Sequence, residues 1–281
     1  MFHHEPSQPA VPPPPGSWSH DKQIALLIGA ALAGLLLLLG LGLAGCYSIH
    51  PASAAAKPHS DTPREQSTAG QRVADDPNLA RRDDLAARPM RPGSPADAQP
   101  AVLSTRDPGS IVLPPSTTTG PVGVRSGFEH TPAGALAQLA ALDKAALDSA
   151  SLGGARAVID DWAAPGGPTA ATWSGVKTMA DFLSASGLSA GKAPNLALTA
   201  TPIMGLVKAA DGPDWVVACV DFEVDATLAR TARVALADCQ RMLWQGKRWV
   251  IGPGPEPAPP PSIWPGTDAG IDAGYKELRN G

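Results

Sequence analysis

From Ile24 to Cys46 the chain reads IALLIGAALAGLLLLLGLGLAGC, 23 residues without a single charge. No other segment limits the chain's fate so strongly. As a helix, this run rises about 34 Å, enough to cross a hydrocarbon core of about 30 Å. A buried helix in a water-soluble core would need partners on every side. The segments flanking this run, one with Pro12 to Pro15 and the other rich in Ala and Pro, supply none. The expectation is a membrane anchor, with the membrane itself as the first partner of the protein.

Two forms of anchor fit the residues. In the first, 24–46 is a retained transmembrane helix and 1–23 is a proline-rich cytoplasmic tail. In the second, Leu43-Ala44-Gly45-Cys46 serves as a lipobox-like cleavage signal and Cys46 is the lipidation residue. Signal peptides open with a short, clearly positive region, whereas the 23 residues here offer Lys22 as their only cation, which favours the retained helix. Flanking charge gives little orientation, because Lys57 is the only Lys or Arg close behind the run. Both forms place the long C-terminal part outside the cytoplasm.

Residues 47–126 read as a spacer. Between Tyr47 and Phe128 there is no aromatic residue, and positions 51–110 carry eight basic and eight acidic side chains among many prolines and alanines. Such a composition buries too little apolar surface to offset chain entropy, so disorder is expected. Within it, the alternating charges of ARRDDLAARP (80–89) suit only a short solvated helix.

Residues 127–281 carry the folding signals. Thr131-Pro132 is an N-cap followed by a favourable first helical residue, and Leu136, Leu139, Ala140 and Leu147 continue at helical spacing. Further helical pieces are expected around 155–164, stopped by Pro165-Gly166-Gly167, and around Trp173 to Leu183, stopped by Gly187. After Pro194 the period changes to two. Leu196 to Val207, a run from Trp215 to Asp225, Arg233 to Trp244 and Arg248 to Ile251 read as strands joined by turns at Asp211-Gly212-Pro213 and Gln245-Gly246-Lys247. Helices followed by a meander define an α+β domain. At the C-terminus, Thr267 caps an expected last helix with Ile271, Tyr275 and Leu278 at i, i+4, i+7, a spacing suited to docking on the domain or on a partner.

If 226–232 connects the second and third strands, Cys219 falls opposite Cys239 and Asp225 opposite Arg233. The cysteine pair then has either disulfide geometry or the packing of two buried thiols, and a bridge would indicate an oxidising compartment. Chemistry is sparse elsewhere. Asp221, Glu223 and Asp225 alternate along one strand face, which suits a salt-bridged surface with Arg230, Arg233 and Arg241 better than acid–base catalysis. An enzyme using Asp221 or Glu223 would need them to point into a pocket. His130 is the one histidine of 127–281, too few for a histidine zinc site, and it reads as a local hydrogen-bonding residue. Trp244 and Trp249 read as packing residues. There is no phosphate loop, dinucleotide fingerprint or metal-ligand spacing. Catalytic, cofactor and metal residues are therefore expected to be none. The net charge of −4 without a basic run argues against nucleic acid as a partner.

The stretches GFEHTPAGALAQLAALD (127–143) and MLWQGKRWVIGPGPEPAPPPSIWPGTDAGIDAGYKEL (242–278) resemble membrane proteins of actinobacterial conjugative elements. The resemblance covers about 155 residues and the layout of tail, membrane helix, spacer and outer domain. It implies helices on a curved antiparallel sheet, as in the nuclear-transport-factor-2-like cone. It also implies a non-enzymatic assembly protein of a conjugative or type IV secretion-like apparatus, acting through protein partners. The alternative is a lipoprotein, lipidated at Cys46, whose domain binds a small ligand or an envelope partner.

Overall fold

The computed structural model describes residues 77–188 and 195–281. The run 24–46, Cys46 and the proline-rich tail lie outside the described residues. Among the described residues no helix is long and apolar enough to cross a membrane.

The fold is α+β. Three helices, α2 (Pro132–Asp148), α3 (Leu152–Trp162) and α4 (Ser174–Ala185), precede four long or hairpin-linked strands. These are β4 (Ala197–Ala210), β5 (Trp215–Thr227), β6 (Thr231–Gln245) and β7 (Arg248–Ile251). Upstream lie α1 (Pro77–Ala87), β1 (Ser110–Leu113) and a small hairpin of β2 (Thr118–Thr119) and β3 (Arg125–Ser126). Downstream come the short helix α5 (Asp268–Asp272) and β8 (Lys276–Asn280). The main sheet has the order β1-β8-β4-β5-β6-β7, antiparallel except for the parallel pair of β1 and β8. It curls strongly into a half-barrel. Two register shifts in β4, after Pro202 and after Val207, bend the strand where its pairing with β5 slips.

The start of α2 follows the sequence reading. The Thr131 hydroxyl accepts from the Gly134 amide at 3.1 Å and Pro132 opens the helix. The stripe Leu136, Leu139, Leu142 and Ala146 is buried against β4 and β5. Gly205 on β4 makes this approach feasible, since a Cβ there would come within 3.1 Å of Leu136 and 2.9 Å of Leu278. On β5, the alternate residues Val216, Ala218, Val220, Phe222 and Val224 face the helices and are almost fully buried.

Two expectations are corrected. Of the spacer expected to be disordered over 47–126, residues 77–126 are ordered and pack on the domain. The second face of β5 and β6 bears Trp215, Val217, Cys219 and Cys239, which need cover, and the upstream segment provides it. Ala86 of α1 is buried against Trp215 and Val217. Asp83 of α1 pairs with the buried Arg241 at 2.5 Å, and Arg81 and Arg82 both reach Asp211. The carbonyl of Ala98 then takes the β6 amide of Ala235 at 2.8 Å. Arg81, Arg82 and Asp83 thus find partners on the sheet, while Asp84 and Arg88 pair with each other at the exposed helix surface.

The second correction concerns the C-terminus. Thr267 caps a helix as expected, its hydroxyl accepting from Gly270, but the helix spans only Asp268–Asp272. Gly274, at φ +93, ends it, and the chain continues as β8 between β1 and β4. The tail docks back on its own domain: Tyr275 is buried and its hydroxyl donates to the Pro261 carbonyl at 3.0 Å.

Candidate functional site

The helix-facing side of β6 breaks its apolar pattern twice. Val234, Leu236, Met242 and Trp244 alternate there with Asp238 and Gln240, which lie opposite Val220 and Ala218. Ser174, the first residue of α4, sits over these two, and Asp143 projects from α2. Glu256 arrives from the proline-rich return that follows β7.

Helix α4 lacks a capping side chain of its own, because its N-cap residue is Trp173. Glu256 takes that role across 82 positions. Its Oε1 accepts from the Ser174 amide at 2.8 Å and from the Ser174 hydroxyl at 3.0 Å. A carboxylate is favoured there by the unpaired amides and positive end of the helix. The Gln240 amide donates to Asp238 Oδ2 at 2.9 Å and lies 3.3 Å from Glu256 Oε1. Ser174 Oγ is also 3.2 Å from Asp238 Oδ1, so its single proton serves one carboxylate at a time.

Three carboxylates therefore share one region, and among the described residues none of them forms an ion pair. The proton affinity of Asp238 rises to a pKa of about 6, chiefly through desolvation and then the charge of Glu256; its hydrogen bonds oppose the rise. Asp143 is raised well above the carboxylate range, first by burial and then by Asp238 and Glu256. It keeps only 5% of its surface, and its Oδ2 has no hydrogen-bond partner. Among the described residues no group of three or more His, Cys, Asp or Glu side chains could hold a metal ion.

None of these five residues stands out in the sequence at first reading. The usable signal is polarity at core period: Asp143 one position after the stripe residue Leu142, and Asp238 and Gln240 on the face shared with Leu236 and Met242.

The residues singled out from sequence are placed as follows. Cys219 and Cys239 are directly opposed in register, with their sulfurs 1.93 Å apart, at disulfide distance. Met90 covers them, its sulfur 4.0 and 3.9 Å from theirs. The acidic row divides. Arg233 lies opposite Asp225 and binds both Asp225, at 3.1 Å, and Glu223, as a salt-bridged surface requires. Asp221 departs from that surface: it is fully buried, and neither oxygen has a hydrogen-bond partner, although the Ile263 amide faces it. Burial pushes its carboxyl well above the ordinary range. The cause of the difference is the return segment through Ile263 and Tyr275, which seals the row at Asp221 and leaves Glu223 and Asp225 beyond its edge. Arg241, expected among the strand-face partners, turns instead to Asp83.

His130 bonds Asp214 through Nε2 at 2.7 Å and stacks on Trp244 at 4.3 Å. Trp249 meets both rings edge-on and donates to the Glu129 carbonyl at 2.9 Å. These three rings tie the start of α2 to the β6–β7 turn. Compared with protein-family models, with curated proteins and with solved structures, the chain finds no match.

Proposed function

We propose that this is a single-pass membrane-anchored, non-enzymatic assembly or interaction protein whose ordered unit lies on the extracytoplasmic side, as a component of a conjugative transfer or type IV secretion-like apparatus. The observation that carries the location is the cross-strand pair Cys219 and Cys239, with sulfurs at disulfide distance. Such a bridge persists in oxidising compartments and is rare in the cytosol. The 23-residue uncharged run supports the anchor. Within this proposal the curled sheet with α2 to α4 on one face is read as a nuclear-transport-factor-2-like cone, and the resemblance of 127–143 and 242–278 supports the apparatus.

The test uses the full chain in its native membrane. Protease added to intact cells without their wall should cut the region after residue 46 while leaving cytoplasmic markers whole, and crosslinked full-length protein should capture apparatus components. A protein recovered in the soluble fraction, or protected until the membrane is broken, would sink the topology. Unchanged conjugation and secretion after gene deletion would remove the apparatus.

Leu43-Ala44-Gly45-Cys46 favours a second reading, a lipoprotein anchored at Cys46 and binding a small ligand or envelope partner. Acyl-chain labelling that marks the chain, and is lost in Cys46→Ser, would select it.

A further inference from the structure

We propose that Asp238, Ser174 and Glu256 form a proton-operated latch between β6, the start of α4 and the return segment. A proton on Asp238 Oδ1 completes a chain from that carboxyl through Ser174 Oγ to Glu256 Oε1, and loss of the proton to water opens it. The other hydrogens of the network do not close this chain. Ser174 Oγ lies 3.0 Å from Glu256 Oε1 and 3.2 Å from Asp238 Oδ1, with a single proton to give. The Gln240 amide donates to Asp238 Oδ2 at 2.9 Å, and its remaining hydrogen faces Ser174 Oγ and Glu256 Oε1, at 3.2 and 3.3 Å. If Ser174 donates to Glu256, Oγ and Asp238 Oδ1 meet as two acceptors. If it donates to Asp238, Oγ and Glu256 Oε1 do. Either way one carboxyl must supply a hydrogen. The helix end decides which: Glu256 Oε1 takes the Ser174 amide at 2.8 Å, where the positive end of α4 favours a charge, so the proton falls to Asp238.

No cation replaces that proton. Among the described residues no Lys, Arg or His pairs with Asp238 or Glu256. On α4, Lys177 and Asp181 pair with each other, and Arg241 of β6 turns to Asp83. On β5, the residue opposite Asp238 is the apolar Val220. Asp143 from α2 and Tyr275 ahead of β8 are the other titratable groups that feel its charge, and both are held toward their neutral forms. Asp238, with a pKa raised to about 6, changes state between mildly acidic and neutral surroundings. It is half-buried, as are Ser174 and Glu256, so water reaches the chain. The return segment is held on either side of Glu256, by the Gly254 amide on the Gly166 carbonyl and the Ala258 amide on the Ala86 carbonyl. What moves on opening is therefore the Glu256 side chain and the first turn of α4, to which Trp173 offers no substitute cap. With both carboxyls ionised, two like charges compete for one hydroxyl and repel across it. The assignment stands on this network and is independent of the membrane reading.

The test is hydrogen exchange of the full-length chain in detergent micelles at pH 5 and pH 8, read at single amides by fragment mass spectrometry and corrected for the intrinsic rate at each pH. The Ser174 amide should be roughly tenfold better protected at pH 5 than at pH 8, measured against the Val220 and Phe222 amides of β5 so that a change in global stability cancels. Asp238→Asn, whose amide donates to Ser174 Oγ at any pH, should keep at pH 8 the protection that the parent shows at pH 5. Glu256→Ala should leave Ser174 poorly protected at both, and the exposed Asp160→Asn should change nothing. Carbon-13 carboxyl titration should show an aspartate with a midpoint near pH 6 that is missing from Asp238→Asn. Equal relative protection of Ser174 at pH 5 and pH 8 in the parent would overturn the proposal, as would the lack of an aspartate titrating between pH 5 and pH 7. An Asp238→Asn variant that retains the pH dependence, or that protects Ser174 less than the parent at pH 5, would do the same, the latter by showing a carboxylate that serves packing alone.

Discussion

Burial of acids without cations sets the pH response of individual residues. A carboxyl whose folded pKa exceeds its unfolded value binds more protons in the native state. Its contribution is full below the unfolded pKa near 4 and is lost as pH rises through the folded value. Asp238, raised to about 6, sets a window between about pH 4 and 6. Two pKa units correspond to at most about 3 kcal/mol, less here because Asp238 keeps part of its surface in water. Asp221 and Asp143 are shifted in the same direction. Thermal melts should therefore show a midpoint falling from pH 5 to pH 8. Asp221→Asn should raise the midpoint at pH 8 by several degrees and change it little at pH 4; an equal effect at both would refute the neutral buried carboxyl. Glu223 and Asp225, paired with Arg233 at the surface, should contribute far less, since exposed pairs are typically worth under about 1 kcal/mol.

At the scale of elements, the cap of α2 and the docking of α1 can each be tested. Thr131→Ala removes the acceptor for the Gly134 amide and should cost about 1 kcal/mol in denaturant unfolding. Asp83→Ala leaves the 3%-exposed Arg241 without its partner and should cost about 1–3 kcal/mol. Adding Arg241→Met should recover most of that loss, because an apolar side chain suits the face shared with Val217. A double variant no more stable than Asp83→Ala would show that the helix does not depend on this pair. These elements also mark where the sequence was readable. The cap at Thr131, the hairpin register that opposes Cys219 to Cys239, and the turn at Gln245-Gly246-Lys247 are local, written in spacing and turn residues. Helix α1 was readable as a helix but not as a docked one, because its burial depends on a sheet face more than 120 positions away. The tail failed for a related reason: i, i+4, i+7 spacing is satisfied by helix and by chance, and only Gly274 and the waiting edges of β1 and β4 decide for strand. Ser174, Asp238, Gln240 and Glu256 meet through tertiary contacts alone, so their network had no contiguous motif to find.

For the molecule as a whole, the cysteine pair closes a hairpin with 20 positions between its ends. Loop-closure entropy assigns such a link about 3 kcal/mol of stability. Cys219→Ser with Cys239→Ser, or added reductant, should lower the unfolding free energy by roughly that amount, read from denaturant curves. Peptide mapping without reductant should recover the two cysteines in one linked fragment, and alkylation of both in the unreduced protein would contradict the bridge.

The incorporation of α1 into the domain also changes a length. Had the whole of 47–126 been free chain, the domain could have ranged over some 270 Å at about 3.4 Å per residue. With α1 docked from Pro77, thirty positions, 47–76, lie between the apolar run and that helix in the sequence. On the anchored reading, covalent geometry alone holds the domain within about 100 Å of the bilayer surface. A partner must come to that surface to be met, and the docking of α1, through Asp83 and Arg241, sets that limit.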